Sequence, residues 1–216
     1  MKTMRILAVV FLLVTIGCST STRITTSWTA PEHPARAYQK IMVLGLMGAN
    51  DRLFREQMEN HLAGDLRDLG YEAVTATTEY GPKAFQNLKR EEALRQLYDN
   101  GIDAVLTIVL LDKQRERYYL PGRVYYSPYA MYHNRFWRYY TTMYDRVYSE
   151  GYYVEDTKYF WESNLFEVVR DKLVYSARTK SFDPASANMQ AHENGLLLIK
   201  DMLKKKVIVN QVKKEQ

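Results

Sequence analysis

The chain has 216 residues, and its 30 Lys and Arg against 25 Asp and Glu leave a formal net charge of +5 at pH 7. So small a positive charge gives no reason to expect nucleic-acid binding, and the length suits one domain with an insertion. The single cysteine excludes an intramolecular disulfide, so the fold must be stabilised by its core alone.

The first 17 residues have the pattern of a secretion signal. Lys2 and Arg5 form a short basic segment, and residues 6–14 are apolar. This apolar stretch is too short to span a membrane as a helix, which needs about 20 residues. We expect residues 1–17 to be removed. The net charge would then fall from +5 to +3, because Lys2 and Arg5 are lost and no acid is lost with them.

A small residue stands directly before the cysteine in the stretch Thr15-Ile16-Gly17-Cys18. This stretch resembles the lipobox of bacterial lipoproteins, although that family prefers Leu at the position of Thr15. The resemblance implies that Cys18 receives a diacylglyceryl group, becomes the first mature residue and is acylated again at its amine. Several acyl chains anchor a protein stably, whereas one chain binds only marginally. The alternative is a plain signal peptide followed by an incidental cysteine.

The residues after Cys18 bear on which membrane face the protein occupies. Residues 19–23 carry no acidic side chain. Surface-exposed lipoproteins of Bacteroidota-like bacteria usually have an acidic run here, and inner-membrane lipoproteins of enteric-type bacteria have an Asp. The segment therefore resembles that of a lipoprotein anchored in the outer membrane and facing the periplasm.

We predict a lipidated Cys18 with a polar tether over residues 18–37, a single domain over 38–209 and a polar tail over 210–216. Within the tether, Ile24 to Trp28 alternates like a short strand that could join a sheet edge. The apolar run 40–47 predicts a strand buried on both faces. The helix that follows has apolar residues at helical spacing and ends at Gly70.

The next segments complete an alternating pattern. Residues 71–75 predict a second strand, and Asn87 is the expected cap of a second helix with Leu88, Leu94, Leu97 and Tyr98 on its inner face. Residues 103–111 predict the strongest strand. Strand, helix, strand, helix and strand in this order indicate a parallel sheet with right-handed crossovers.

The pattern changes after residue 111. Residues 112–150 are an insertion rich in Tyr and Arg, and residues 152–169 and 173–182 predict a β-hairpin. A final helix has one apolar stripe, formed by Met189, Leu196, Ile199, Leu203 and Val207, and Gly195 weakens it by about 1 kcal/mol relative to Ala. The predicted fold class is therefore α/β: a βαβαβ unit, a β-hairpin and a C-terminal helix around a mixed sheet.

This element order is similar to that of the small α/β domain at the N-terminus of the TolB translocation protein, and to envelope lipoproteins of the curli-secretion and synthase-activator type. Seven stretches, spread over nearly all of the mature chain, carry a closer resemblance: KIMVLGL, MENHLAGDLRDLGYEAV, EYGPKAF, DAVLTIVLLDKQRERYY, YHNRFW, DTKYFWESNLFEV and TKSFDPAS. Together they resemble a family of Bacteroidota-type envelope lipoproteins. The resemblance implies a location and a fold, and it supplies no catalytic residue.

No arrangement of residues along the chain predicts a catalytic or metal centre, and no cofactor is implied. The histidines lack a metal-ligand spacing such as HExxH. His61 and His192 each fall on the inner part of a predicted helix and are expected to pack there or to cap a helix. The run from Gly45 to Asn50 lacks the Lys of a P-loop and is expected to be a tight turn. Glu162 should come near Arg178 and Lys180 across the hairpin and form an exposed ion pair.

The Tyr/Arg-rich insertion is the most unusual part of the sequence, because residues 118–159 hold 13 of the 18 tyrosines. One interpretation is structural: a long edge strand continues past Leu111, and the tyrosines cover the sheet. The other is a recognition surface, since Tyr, Trp and Arg dominate binding hot spots. The candidate binding residues are Tyr119, Tyr125, Tyr126, Tyr129, Tyr132, Arg135, Trp137, Arg138 and Tyr140.

The sequence thus predicts an envelope lipoprotein with a non-catalytic binding or assembly role. Its expected contacts are the membrane through Cys18 and an envelope protein or a glycan through the insertion, with no nucleic acid; an oligomer is compatible with this. One alternative is a hydrolase of an envelope polymer that uses Glu162 or Asp156. Another is a subunit of a secretion or transport complex.

Overall fold

The computed structural model describes residues 22–31, 38–120, 152–182, 184 and 186–212. Within them lies one six-stranded sheet with four α-helices. The strands are β1 (Thr22–Thr29), β2 (Lys40–Leu46), β3 (Glu72–Thr75), β4 (Ala104–Leu120), β5 (Tyr152–Glu167) and β6 (Lys172–Phe182). The helices are α1 (Arg52–Asp68), α2 (Ala76–Tyr80), α3 (Arg90–Asp99) and α4 (Ala187–Lys204), and a 3₁₀ turn (Ala49–Asp51) precedes α1.

The sheet order is β1-β6-β5-β4-β2-β3. Strand β2 pairs in parallel with β3 and β4, and all other neighbours are antiparallel. The parallel strands are connected through helices, as short turns cannot join parallel neighbours. The predicted α/β class, with a βαβαβ unit, a hairpin and a C-terminal helix around a mixed sheet, is confirmed.

The sheet has a core on each face. On one face, α1 and α4 cover a large cluster that includes Trp161 and Tyr175, both fully buried. On the other face, a smaller cluster joins Met42 and Val105 to Leu97 of α3. Strand β2 is buried on both faces because its alternate side chains enter different clusters, which explains its uninterrupted apolar sequence.

The region between β3 and α3 differs from its prediction. An additional short helix, α2, directly follows β3, and the Thr75 side chain caps it by accepting from the Thr78 N–H. The N-cap residue of α3 is Lys89, whose backbone N–H donates to the Glu92 carboxylate at 3.2 Å. Asn87, the predicted cap, lies two residues earlier and has a left-handed backbone with φ of 65°. Leu88 and Tyr98 were predicted to face inward and are 38% and 68% exposed. Only the Leu97 side of this short helix meets the sheet.

Helix α4 is present, but part of its predicted apolar stripe is wrong. Met189 and Leu196 are each 49% exposed, and Leu198 and Met202 are buried instead. A Cβ atom at Gly195 would collide with the carboxylate of Asp65 on α1. The glycine therefore allows α1 and α4 to approach closely, which offsets its low helix propensity.

The strand predicted over Ile24 to Trp28 is confirmed as β1, which forms one edge of the sheet beside β6. The sheet thus begins at Thr22, within the residues assigned to the tether. Strand β4 continues past Leu111 to Leu120, as predicted. It lies between β2 and β5 as far as Val109, and beyond that residue it pairs with β5 alone, as an edge strand does. The first residues of the predicted insertion are therefore part of the sheet.

Candidate functional site

The segment rich in Tyr and Arg is connected to the domain by a β-ribbon. We use this name for the outer part of the β4–β5 pair, residues 112–120 and 152–160. Their pairing continues to Leu120 opposite Tyr152. Strand β2 pairs with β4 only as far as Val109, and β6 pairs with β5 only from Lys158 inward. Beyond these points the ribbon has no paired neighbour among the described strands.

Most of the predicted binding residues lie outside the described residues. Of Tyr119 only the strand position is described, opposite Tyr153. Cys18 is also outside the described residues. The remaining predicted residues outside them are Tyr125, Tyr126, Tyr129, Tyr132, Arg135, Trp137, Arg138 and Tyr140.

The two faces of the ribbon differ in charge, because alternate residues of a strand point to opposite faces. The basic face carries Lys113, Arg115 and Arg117 of β4 with one acid, Glu155, on β5. Arg115 pairs with Glu155 at 3.6 Å. On this face the cations also lie over tyrosine rings: Arg117 is 4.3 Å from the ring centre of Tyr153, a favourable cation–π geometry.

The opposite, acidic face of the ribbon carries three carboxylates, those of Asp112, Glu116 and Asp156. The single cation on this face is Lys158, which pairs with Glu116. The two faces of the ribbon therefore carry charges of opposite sign, and the ribbon as a whole has little net charge. The alternation of Lys and Arg with Asp, Gln and Glu over residues 112–117 is the sequence signal for it.

A second candidate site is an open cleft of about 440 Å³ at the carboxyl ends of β2 and β3. Ligand clefts in α/β sheets commonly lie at such strand ends. Glu59 of α1 lies beneath it, 1% exposed, and accepts hydrogen bonds from the Gly45 N–H at 2.9 Å and the Thr77 N–H at 3.0 Å. This carboxylate joins the end of β2 to the start of α2.

Arg55 forms the wall of the cleft next to Glu59. One guanidinium nitrogen donates to the Pro82 carbonyl at 2.9 Å, while its Nε is buried without a hydrogen-bond partner. Gly45 is required here, because a Cβ atom would lie 2.5 Å from the Cγ of Arg55. The sequence predicted only a tight turn at this place. The feature of the sequence that could have indicated the cleft is the pair Gly45 and Gly48, which flank the end of β2.

Of the two cations predicted near Glu162, Arg178 lies directly opposite it in the hairpin, whereas Lys180 lies opposite Phe160. Arg178 Nε donates to Glu162 at 2.9 Å, and Asn164 donates to the same carboxylate. The hydrogen bond from Arg178 and that from Asn164 lower the pKa of Glu162. A carboxyl group with a lowered pKa is poorly suited to donate a proton near neutral pH, which disfavours a general-acid role.

Two histidines that are far apart in the chain meet between α1 and α4. The rings of His61 and His192 are 5.9 Å apart, and His61 is hydrogen-bonded to Asn188 at 2.6 Å. His192 is exposed, so its predicted inward position is wrong. Burial raises the pKa of the neighbouring Asp65, an effect that His192 and His61 partly offset. Among the described residues, no three His, Cys, Asp or Glu side chains are grouped to hold a metal ion.

No helix within the described ranges has the length and apolar character needed to cross a membrane. No family model matches the chain, and no curated protein matches it.

Two solved proteins are similar to the chain in fold. A PelC dodecamer from Paraburkholderia phytofirmans is 13% identical, with a TM-score of 0.45, over 88% of this chain and 99% of that one. Lipoprotein GNA1162 from Neisseria meningitidis is 12% identical, with a TM-score of 0.42, over 77% of this chain and 99% of that one.

Proposed function

We propose that this protein is a periplasm-facing lipoprotein, anchored in the outer membrane through Cys18, which binds or assembles with an envelope partner. The contact is made by the Tyr/Arg-rich segment between β4 and β5. One observation carries the proposal: Leu120 and Tyr152 are paired at the end of a ribbon that extends beyond its neighbouring strands. The segment that joins them therefore starts and ends away from both cores, where its aromatic residues can meet a partner.

The chemistry of the described residues supports binding over catalysis. On the sheet, Arg178 donates a hydrogen bond to the Glu162 carboxylate and favours its ionised form. Glu59 is engaged by two backbone N–H groups, so its oxygens serve the fold. By contrast, the residue types of the segment, Tyr, Trp and Arg, are those that contribute most binding energy at protein interfaces.

Photocrosslinking in intact cells tests this function. A photoreactive phenylalanine analogue replaces Tyr126, Tyr132 or Trp137 in turn, and adducts are identified by mass spectrometry. The matched control is Tyr98, an exposed tyrosine on α3 at 68% exposure. We expect one dominant envelope protein or glycan adduct from the three test positions and none from Tyr98. Absence of adducts at all three positions, with crosslinking competence shown for each, would refute the proposal.

A further inference from the structure

The connection between Cys18 and the sheet is short. Four Cα-to-Cα steps separate Cys18 from Thr22, the first residue of β1. An extended chain advances at most about 3.6 Å per residue, so Cys18 lies within about 14 Å of Thr22. If Cys18 carries acyl chains in the bilayer, Thr22 is close to the membrane surface.

The strand register shows which other residues lie at this end of the sheet. Thr22 is opposite Ser181 on β6, Ser181 is opposite Tyr159 on β5, and Tyr159 is opposite Lys113 on β4. Strands β1 and β5 run in the same direction, because each is antiparallel to the β6 strand between them. The start of β5 therefore points out of the same end of the sheet as the start of β1.

The ribbon extends farther than the tether can reach. Seven residue-to-residue steps separate Tyr159 from Tyr152, and they span about 24 Å at 3.4 Å per step. Sheet twist of about 20–25° per strand turns β5 by roughly 45° relative to β1, which leaves the ribbon on the same side. A domain held within about 14 Å of the bilayer therefore has its ribbon reaching the bilayer or lying along it.

We propose that the β4–β5 ribbon rests on the bilayer and that its basic face contacts anionic phospholipid headgroups. This inference rests on the lipid anchor of the proposed function and specifies where the partner is met: at the membrane surface. Lys113, Arg115 and Arg117 supply the positive charges. Tyr153, which is 60% exposed, lies beside Arg117, and tyrosine favours the membrane–water interface.

The anchor end of the sheet also exposes apolar side chains. Leu53, in the first turn of α1, is 69% exposed and Leu111 is 50% exposed. Leu111 is two residues before Lys113 in the chain, and Leu53 is two residues after Asp51, whose carboxylate is 4.0 Å from the Lys113 ammonium. Val169 at the far end of the sheet is 69% exposed as well, so apolar exposure does not set the orientation. The short tether does.

The test uses the mature, acylated protein in phosphatidylcholine vesicles with and without phosphatidylglycerol. The only natural cysteine is Cys18, and acylation blocks its thiol. A second cysteine can thus be labelled with a fluorophore without ambiguity. Thr157→Cys labels the basic face, Asp156→Cys labels the acidic face, and Lys172→Cys labels the far end of the sheet. A headgroup nitroxide lipid then quenches any label that is near the membrane.

We expect quenching at Thr157 to exceed that at Lys172 several-fold, with Asp156 intermediate and the difference larger when phosphatidylglycerol is present. Equal quenching at Thr157 and Lys172, or stronger quenching at Lys172, would overturn the inference. The inference would also be overturned if the Thr157 label became shielded from solvent as the density of protein on the vesicles rose, whatever the lipid composition. A second copy of the chain would then cover the ribbon.

Charge removal provides the second arm. The double variant Arg115→Gln/Arg117→Gln should weaken ribbon contact with anionic vesicles, by roughly fivefold for each charge lost. The matched control, Arg90→Gln/Arg95→Gln, removes the same charge from exposed positions on α3 and should leave quenching at Thr157 unchanged. An equal effect of both variants would contradict contact through the basic face.

Failure of the anchor and failure of this inference are distinguishable. Mass spectrometry of the protein from cells first establishes whether Cys18 is acylated. If Cys18 is not acylated, the lipid anchor of the proposed function is wrong, and the ribbon placement that rests on it is wrong as well. An acylated Cys18 with an unquenched Thr157 label overturns the ribbon placement alone, and the photocrosslinking result at Tyr126, Tyr132 and Trp137 remains independent of it.

Discussion

Glu59 shows how one buried carboxylate can hold a strand end and a helix start in place. Both of its oxygens accept backbone N–H groups, from Gly45 and Thr77. Hydrogen bonds to a charged acceptor are stronger than neutral ones, and an unmatched buried donor is costly. The residue is therefore needed for the geometry of the cleft.

Replacing Glu59 with Gln should lower the free energy of unfolding by about 1–3 kcal/mol, because the new amide group must face one of the two N–H donors. Urea unfolding followed by fluorescence measures the change. The matched control is Glu56→Gln on the same helix, whose partner is Arg52, and it should cost less than about 0.5 kcal/mol. Similar costs for both variants would show that the two backbone hydrogen bonds contribute little.

Asp65 should make stability depend on pH. Because burial raises its pKa above the ordinary 3.8, the folded state holds this proton more tightly than the unfolded state. The associated stability is present below pH 3.8 and is lost as pH rises through the raised value. We expect Asp65→Asn to be similar to the wild type in acid and more stable near neutral pH.

Thermal unfolding at a series of pH values, with wild type and variant measured in parallel, checks the Asp65 prediction. Asp99→Asn serves as the control for a lost negative charge, since Asp99 is exposed on a different helix, α3, whereas Asp68 itself contributes to the raised pKa of Asp65. A stability difference for Asp65→Asn that does not change with pH would contradict the predicted linkage.

At the scale of elements, the β5–β6 hairpin carries an ion pair that is accessible to solvent. Glu162 faces Arg178 at 24% and 61% side-chain exposure. Exposed cross-strand pairs contribute roughly 0.2–1 kcal/mol. The carboxylate pKa is lowered, so this contribution is present above the ordinary value of 4.5 and fades as pH falls through the lowered value.

A double-mutant cycle of Glu162→Gln and Arg178→Gln should give a coupling energy below about 1 kcal/mol. The coupling should decrease in acid. Glu162→Gln should also stay folded and keep its crosslinks, which separates a binding protein from a hydrolase that uses this carboxylate. Loss of function in a folded Glu162→Gln protein would revive the hydrolase alternative.

At the scale of the whole molecule, the two cores lie away from the ribbon end. The largest fully buried side chain, Trp161, packs between β5 and α1, where its ring is 5.2 Å from that of Phe54. Beyond the cores, strands β4 and β5 remain paired, and their last pair is Leu120 with Tyr152. The domain should therefore fold without the segment between them.

Replacing residues 121–151 with Asn-Gly should give a folded domain, since this dipeptide forms the tight turn that antiparallel pairs prefer. We expect its unfolding free energy to change by at most about 1 kcal/mol, or roughly 2–4 °C in Tm. The variant should lose the partner adduct. Trp161→Ala, expected to cost about 3–5 kcal/mol, shows that the assay detects core damage. A collapse of Tm on deletion would make the segment part of the core.

The elements of this fold follow largely from local sequence. The apolar run at β2, the alternation in β1 and the alternating strands of the β5–β6 hairpin depend on neighbours within a few residues, so periodicity identifies them. The cation–acid alternation of residues 112–117 likewise assigns opposite charges to two faces once the segment is a strand. The α/β class and the pairing of Glu162 with Arg178 were predictable for the same reason.

Other features depend on contacts between distant segments. Which side of α4 is buried was decided by its packing on α1, where Gly195 meets Asp65, and the role of Glu59 required two partners from different elements. The sequence alone determined the sheet elements, the single cysteine and the aromatic segment. Only the tertiary structure decided that β1 and the ribbon leave the same end of the sheet, because register between β1, β6 and β5 is set by long-range pairing and not by local pattern.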